Sequence, residues 1–94
     1  MKVQFSERRV RYRITEAEYQ ILLDGQELLL DIANVLQARI TPVSLIKNEY
    51  QMTWIEGVLC LKLSPFIVAE IGCQRDGVVL TGEVTVEIAV DLKA

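Results

Sequence analysis

The chain has 94 residues, is 51% hydrophobic and 24% charged, and has a mean hydropathy of +0.27. That is too apolar for a disordered chain and too poor in Gly and Pro for a fibrous one, so a single β-rich domain over 1–94 is expected. No apolar run reaches the roughly 18 residues of a membrane span. The polar start from Met1 to Arg9 does not read as a signal peptide, so a cytoplasmic protein without membrane contact is expected.

Charge is unevenly spread. Within residues 1–13, Lys2, Arg8, Arg9, Arg11 and Arg13 stand against Glu7 alone, while acidic residues outnumber basic ones in the remainder and the whole carries -3. A pI near 4.9 argues against a nucleic-acid binder, which needs many phosphate contacts. There is no histidine, which removes the usual acid/base group and the commonest metal ligand. Cys60 and Cys73 form no CxxC and cannot close a structural zinc site without carboxylates. We expect both thiols to be reduced, buried and structural; a Cys60–Cys73 disulfide is the alternative. No cofactor and no metal are expected.

In chain order, Val3-Gln4-Phe5 alternates, and Arg9 to Ile14 alternates strictly, placing Val10, Tyr12 and Ile14 on one strand face and Arg9, Arg11 and Arg13 on the other. Thr15 with Glu18 three residues later forms a capping box, which predicts a helix over 16–24 with Ala17, Ile21 and Leu22 facing inward and Gly25 as its left-handed stop. Residues 27–39 read as a hairpin turning at Asn34, or as one helix. The hairpin is preferred because no N-cap precedes Glu27. Thr41-Pro42 ends that strand, and 43–48 reads as a loop.

Tyr50–Ile55 and Val58–Leu63 flank Glu56-Gly57, the best hairpin signal in the chain. The register pairs Ile55 with Val58, Trp54 with Leu59 and Met52 with Leu61, and a one-residue slip would mix apolar and polar faces. Ser64-Pro65 opens a second helix over about 65–71, with Gly72 as its stop. Residues 74–77 read as a turn, Val78-Val79-Leu80 leads on to Thr81-Gly82, and 83–92 reads as the longest strand, with Val84, Val86, Ile88, Val90 and Leu92 inward. No internal repeat at a solenoid period and no linker is found. The expected fold is mainly β with a minor α component: a small, predominantly antiparallel, strongly curled sheet or barrel of about seven strands, with two short helices.

Two constellations stand out. Arg9, Arg11 and Arg13 repeat at roughly 7 Å along a strand and could hold an anion or an acidic partner. If the first and last strands are neighbours, Glu83, Glu87 and Asp91 neutralise them as surface ion pairs, the expected outcome. The other is apolar excess on nominally outer faces at Leu29, Val35, Ile55, Val58 and Cys60, which marks an interface, most simply a two-fold homodimer. Catalysis is not expected. Ser6, Ser44, Ser64 and Cys60 lack a histidine partner and a GxSxG context. Glu83 and Glu87 would stand about 13 Å apart on a strand, beyond glycosidase spacing.

The opening Met1-Lys2-Val3 … Val10-Arg11-Tyr12-Arg13-Ile14-Thr15-Glu16-Ala17-Glu18, and the run Gly57-Val58-Leu59-Cys60-Leu61-Lys62-Leu63-Ser64-Pro65, resemble a family of short uncharacterised bacterial proteins, a domain of unknown function. The resemblance covers about a third of the chain. It carries no assigned activity and no functional residue. The resulting expectation is a non-enzymatic module that binds a protein partner or a second copy of itself. The alternative is a barrel binding a small molecule or anion, with Tyr12, Tyr50 and Trp54 lining its interior.

Overall fold

The computed structural model describes residues 1–33, 36–43, 49–73 and 77–91. The elements are β1 (Lys2–Ser6), β2 (Arg9–Thr15), α1 (Glu16–Leu23), β3 (Leu28–Ala33), β4 (Leu36–Pro42), β5 (Tyr50–Ile55), β6 (Val58–Leu63), α2 (Pro65–Cys73), β7 (Val78–Leu80) and β8 (Thr85–Asp91). The expected turn residues Asn34 and 74–76, Val35, Ser44 with most of the 43–48 loop, and Leu92 lie outside the described residues.

The chain is mainly β with two helices, as its alternation requires, but it forms no barrel. Eight strands make two four-stranded sheets, neither closed nor strongly curled: sheet I in the order β1-β2-β8-β7 and sheet II in the order β3-β4-β6-β5. The reason is an exchange of hairpins. After β2, α1 carries the chain from sheet I to sheet II, and after β6, α2 carries it back. Each sheet is therefore two hairpins laid side by side. The four hairpin pairings are antiparallel, so the sheets are predominantly antiparallel as expected, while the central strands, β2 with β8 and β4 with β6, run parallel.

The same plan appears twice. A hairpin, a helix and a second hairpin fill residues 2–42 and again 50–91. β2 and β6 begin at residues 9 and 58, α1 and α2 at 16 and 65, and β4 and β8 at 36 and 85, each time 49 apart. Few side chains repeat: at that offset Arg11 corresponds to Cys60 and Glu18 to Ile67. What repeats is the inward pattern, with Val10, Tyr12 and Ile14 in one half and Leu59, Leu61 and Leu63 in the other, all buried.

These six residues, with Leu28, Ile40, Val86 and Ile88, belong to one core that both sheets share with the helices. Strand alternation is what builds it, since a period of two sends every second side chain to the same face. The 27–39 ambiguity resolves as the hairpin β3–β4. The β5–β6 register is the one expected from sequence, with Ile55 opposite Val58, Trp54 opposite Leu59 and Met52 opposite Leu61.

Helix α1 starts at the expected capping box: Glu18 N–H donates to Thr15 Oγ1 (3.1 Å) while Thr15 N–H donates to Glu18 Oε1 (2.8 Å). Its end is a Schellman turn, with Gln26 N–H donating to Ile21 O, Gly25 N–H to Leu22 O, and Gly25 at φ +82°. The helix buries Leu22 as expected, but its other buried residue is Tyr19, and the expected Ala17 and Ile21 are exposed. Tyr19 is the reason, because its ring spans to α2. Its hydroxyl donates to Val68 O (2.7 Å) and accepts from Gly72 N–H (2.9 Å). A Cβ on residue 72 would lie 2.5 Å from that hydroxyl, so Gly72 serves close approach inside a helix that runs on to Cys73 and does not act as its stop.

Candidate interaction surface

On β2 and β6, the side chains that do not enter the core point away from it. Alternation puts Arg9, Arg11 and Arg13 on the outer face of sheet I, all exposed. At the offset of 49, as between β2 and β6 at residues 9 and 58, the same places on sheet II hold Val58, Cys60 and Lys62. The arginine stripe and the apolar patch singled out from sequence thus occupy equivalent positions in the two halves.

The arginine face is only partly offset by its neighbours. Strand β8 lies beside β2 in parallel, with Arg11 opposite Glu87. Glu87 Oε2 stands 3.3 Å from Arg9 Nη1 and 3.5 Å from Arg11 Nη2. One carboxylate bridging two half-exposed guanidinium groups contributes little to stability. Glu83 falls in the bend before β8, so it does not take the role expected beside Glu87, and Asp91 stands opposite Thr15 in the register. Arg13 is opposite Lys2 on β1 and Ala89 on β8, and no ion pair reaches it among the described residues. A shallow depression of about 500 Å³ lined by Gln4, Phe5, Ser6, Arg9 and Arg11 lies on this side.

The outer face of sheet II is divided. Its β3–β4 half is polar: Gln37 Nε2 donates to Asp31 Oδ1 (2.8 Å), and Arg39 Nε lies 3.8 Å from Glu27 Oε1. Its β5–β6 half is apolar only at the turn end, with Gln51, Thr53 and Lys62 farther along the same face. Ile55 and Val58 are cross-strand neighbours, and Cys60 follows two residues along the same face. Ile55 is 57% exposed, and Leu29, across Arg39 from Cys60, is 54% exposed. The structure therefore brings together the three interface candidates Ile55, Val58 and Cys60.

Three aromatic residues expected to line a barrel interior separate. Tyr12 is fully buried in the core, Tyr50 is half-buried, and Trp54 is 58% exposed. Burial pushes the Tyr12 phenol well above its ordinary pKa, with the nearby Cys60 thiol adding to the shift, and its hydroxyl has no hydrogen-bond partner among the described residues. Trp54 instead lines an open cleft of about 400 Å³ with Tyr50, Gln51, Met52, Glu83 and Val84. Sequence reasoning missed this cleft because it forms where β5, a sheet edge, passes the β7–β8 connection.

Neither cysteine is bonded: Cys60 is half-buried, and Cys73 is exposed rather than buried, since it sits on the last turn of α2. Ser64 is buried as the cap of α2, where Ile67 N–H donates to its Oγ (3.3 Å); Ser6 is exposed on β1. Among the described residues no cluster of three metal-ligating side chains occurs, and no helix is long and apolar enough to cross a membrane. No family model, curated protein or solved structure matches the chain.

Proposed function

We propose that the protein is a small non-enzymatic binding module that works through protein–protein contacts, most simply as a homodimer, and that it is akin to the short bacterial proteins its opening strands resemble. The observation that carries this reading is the adjacent pair Ile55 and Val58, flanked by Cys60, on the otherwise polar outer face of an open sheet. Apolar side chains left in water cost free energy that a partner surface recovers, at about 25 cal/mol for each Å² covered. Light scattering over a range of concentrations tests it. The expected result is a mass that rises with concentration and a melting temperature that rises with it. A monomer mass at high concentration, with a constant melting temperature, would refute the homodimer.

A second reading, anion binding at Arg9, Arg11 and Arg13, is favoured by one observation. Lys2 and Arg13 stand directly opposite one another, a like-charge pair that destabilises a sheet unless an anion is nearby. Phosphate added at constant ionic strength is expected to raise the melting temperature of the wild type and not of Arg13→Ala. Equal responses from both proteins would remove this reading.

A further inference from the structure

Two open sheets have four edges, and three of them carry features that discourage pairing with another strand. β1 bears Lys2 and lies against the arginine strand. β7 is three residues long. β3 carries Asp31 and an irregular register between Asp31 and Ala33. A lysine, a short strand, a charge and a bulge are the devices by which sheets avoid edge-to-edge pairing. β5, Tyr-Gln-Met-Thr-Trp-Ile, has none: six residues without a charge, a proline or a glycine.

The hydrogen-bonding side of that edge follows from its hairpin. Ile55 and Val58 flank a two-residue turn in which Glu56 and Gly57 both have positive φ, 49° and 80°, the type I′ geometry. Such a turn makes Ile55 and Val58 a hydrogen-bonded pair, and bonded and non-bonded pairs then alternate. Thr53 and Gln51 bond inward to β6. The backbone N–H and C=O groups of Tyr50, Met52 and Trp54 point away from the sheet, and none of them makes a turn or loop backbone bond among the described residues. Glu83 and Val84 line an open cleft with these residues, and Gly82 packs against the Tyr50 hydroxyl at one end of the strand.

We propose that β5 pairs antiparallel with β5 of a second copy about a two-fold axis at Met52, so that sheet II continues across the dimer as an eight-stranded sheet. The inference rests on the homodimer reading and names its surface. Antiparallel partners must share a face, so centring on Met52 sets Tyr50 opposite the second copy's Trp54 and Gln51 opposite its Thr53. Every outward backbone group of Tyr50, Met52 and Trp54 is then satisfied. Two aromatic cross-strand pairs form, and within the paired strands no like charges meet. The apolar patch at Ile55 lies beside this seam on the same sheet, so pairing brings the two copies' patches toward one another.

Sedimentation equilibrium on the full chain tests the register. In the double variant Gln51→Glu/Thr53→Glu, the dimer would place a carboxylate opposite a carboxylate twice. Within one copy, residue 51 faces Lys62, so the monomer tolerates the change. The expected result is a dissociation constant raised at least about tenfold, with an unchanged far-ultraviolet dichroism spectrum. The double variant Gln51→Lys/Thr53→Lys, mixed with the acidic one, is expected to restore a heterodimer and to shift Trp54 emission to the blue. If the wild type dimerises and both variants dimerise equally well alone, the β5 edge is not the interface, while the homodimer reading stands. A monomeric wild type at every concentration would overturn both.

Discussion

Position for position, β2 and β6 hold the same place in their halves, and they differ in opposite ways on their two faces. Inward, Val10, Tyr12 and Ile14 correspond to Leu59, Leu61 and Leu63: all six are apolar and buried. Outward, Arg9, Arg11 and Arg13 correspond to Val58, Cys60 and Lys62, a cationic stripe against two apolar residues and one lysine. The frame is thus set by the inward half of each strand, where packing density punishes any change in volume. The outward half is free to differ, and that is where the two halves acquire different surface chemistry. Because Glu87 bridges Arg9 and Arg11 on one half while the other leaves Ile55 exposed beside a half-buried Val58, a protein partner is expected on sheet II before sheet I.

The largest expected effect breaks the equivalence of the second hairpins. Gly77, just before β7, has φ +82°, and a Cβ there would lie 2.0 Å from the backbone oxygen of Ile88. Backbone cannot give way as a side-chain tip can, so Gly77→Ala is expected to cost about 4 kcal/mol or more, read as a collapsed urea midpoint. Gly25, ahead of β3, has a similar φ but open space around its Cβ position, so Gly25→Ala should cost only the strain of its left-handed conformation, about 1 kcal/mol.

Next come the matched core positions. Leu61→Ala is expected to cost about 2–5 kcal/mol by leaving a cavity. Tyr12→Phe at the equivalent position should be neutral or slightly stabilising, because it removes a buried hydroxyl that lacks a partner among the described residues. A loss of stability in Tyr12→Phe as large as in Leu61→Ala would show that the hydroxyl is bonded after all.

The hairpin turns sharpen the comparison further. Arg8 and Gly57 are equivalent, and both are left-handed, at φ 58° and 80°. Arg8→Gly should therefore stabilise by up to about 1 kcal/mol, and a lower melting temperature would mean that the side chain matters more than the backbone.

The smallest effect concerns the helix caps. Burial pushes the Glu18 carboxyl upward, but the Met1 ammonium 2.7 Å away and the Thr15 N–H and hydroxyl prevail and hold it below its ordinary pKa. A carboxyl with a lowered native pKa contributes stability that is complete above the ordinary carboxylate value and is lost as pH falls through the lowered one. The urea-midpoint difference between wild type and Glu18→Gln should accordingly shrink on acidification. At the matching place in α2 stands Ile67, so the Ser64 cap should show no such dependence, and a Ser64→Ala difference that changes equally with pH would contradict it.

Much of this molecule could be read along the chain. The Thr15–Glu18 box, the Ser64 cap, the Glu56-Gly57 turn and the β5–β6 register depend on residues within a few positions of one another. The inward residue of α1 could not be read so. Tyr19 is buried because its hydroxyl donates to a carbonyl of α2 and accepts from an N–H of α2, some fifty residues on, and no local period encodes that. The duplicated plan escaped the sequence for a related reason: the halves keep inward apolarity, which many residues satisfy, and share few identities. Of the candidate surface, the residues Ile55, Val58 and Cys60 were legible as misplaced apolar side chains. Their grouping beside an uncharged edge was not, because an edge is defined by which strand fails to find a neighbour.

Most of the strands, their inner and outer faces, both helix starts and the tightest hairpin follow from local residue patterns, since alternation, capping and turn chemistry act over two to four residues; the three-residue β7 does not. Only the tertiary structure decided that β2 lies beside β8 and β4 beside β6, that each helix changes sheets, and that the sheets remain open. Those parallel pairings join residues far apart in the chain, and their energy comes from a shared core that no single segment contains.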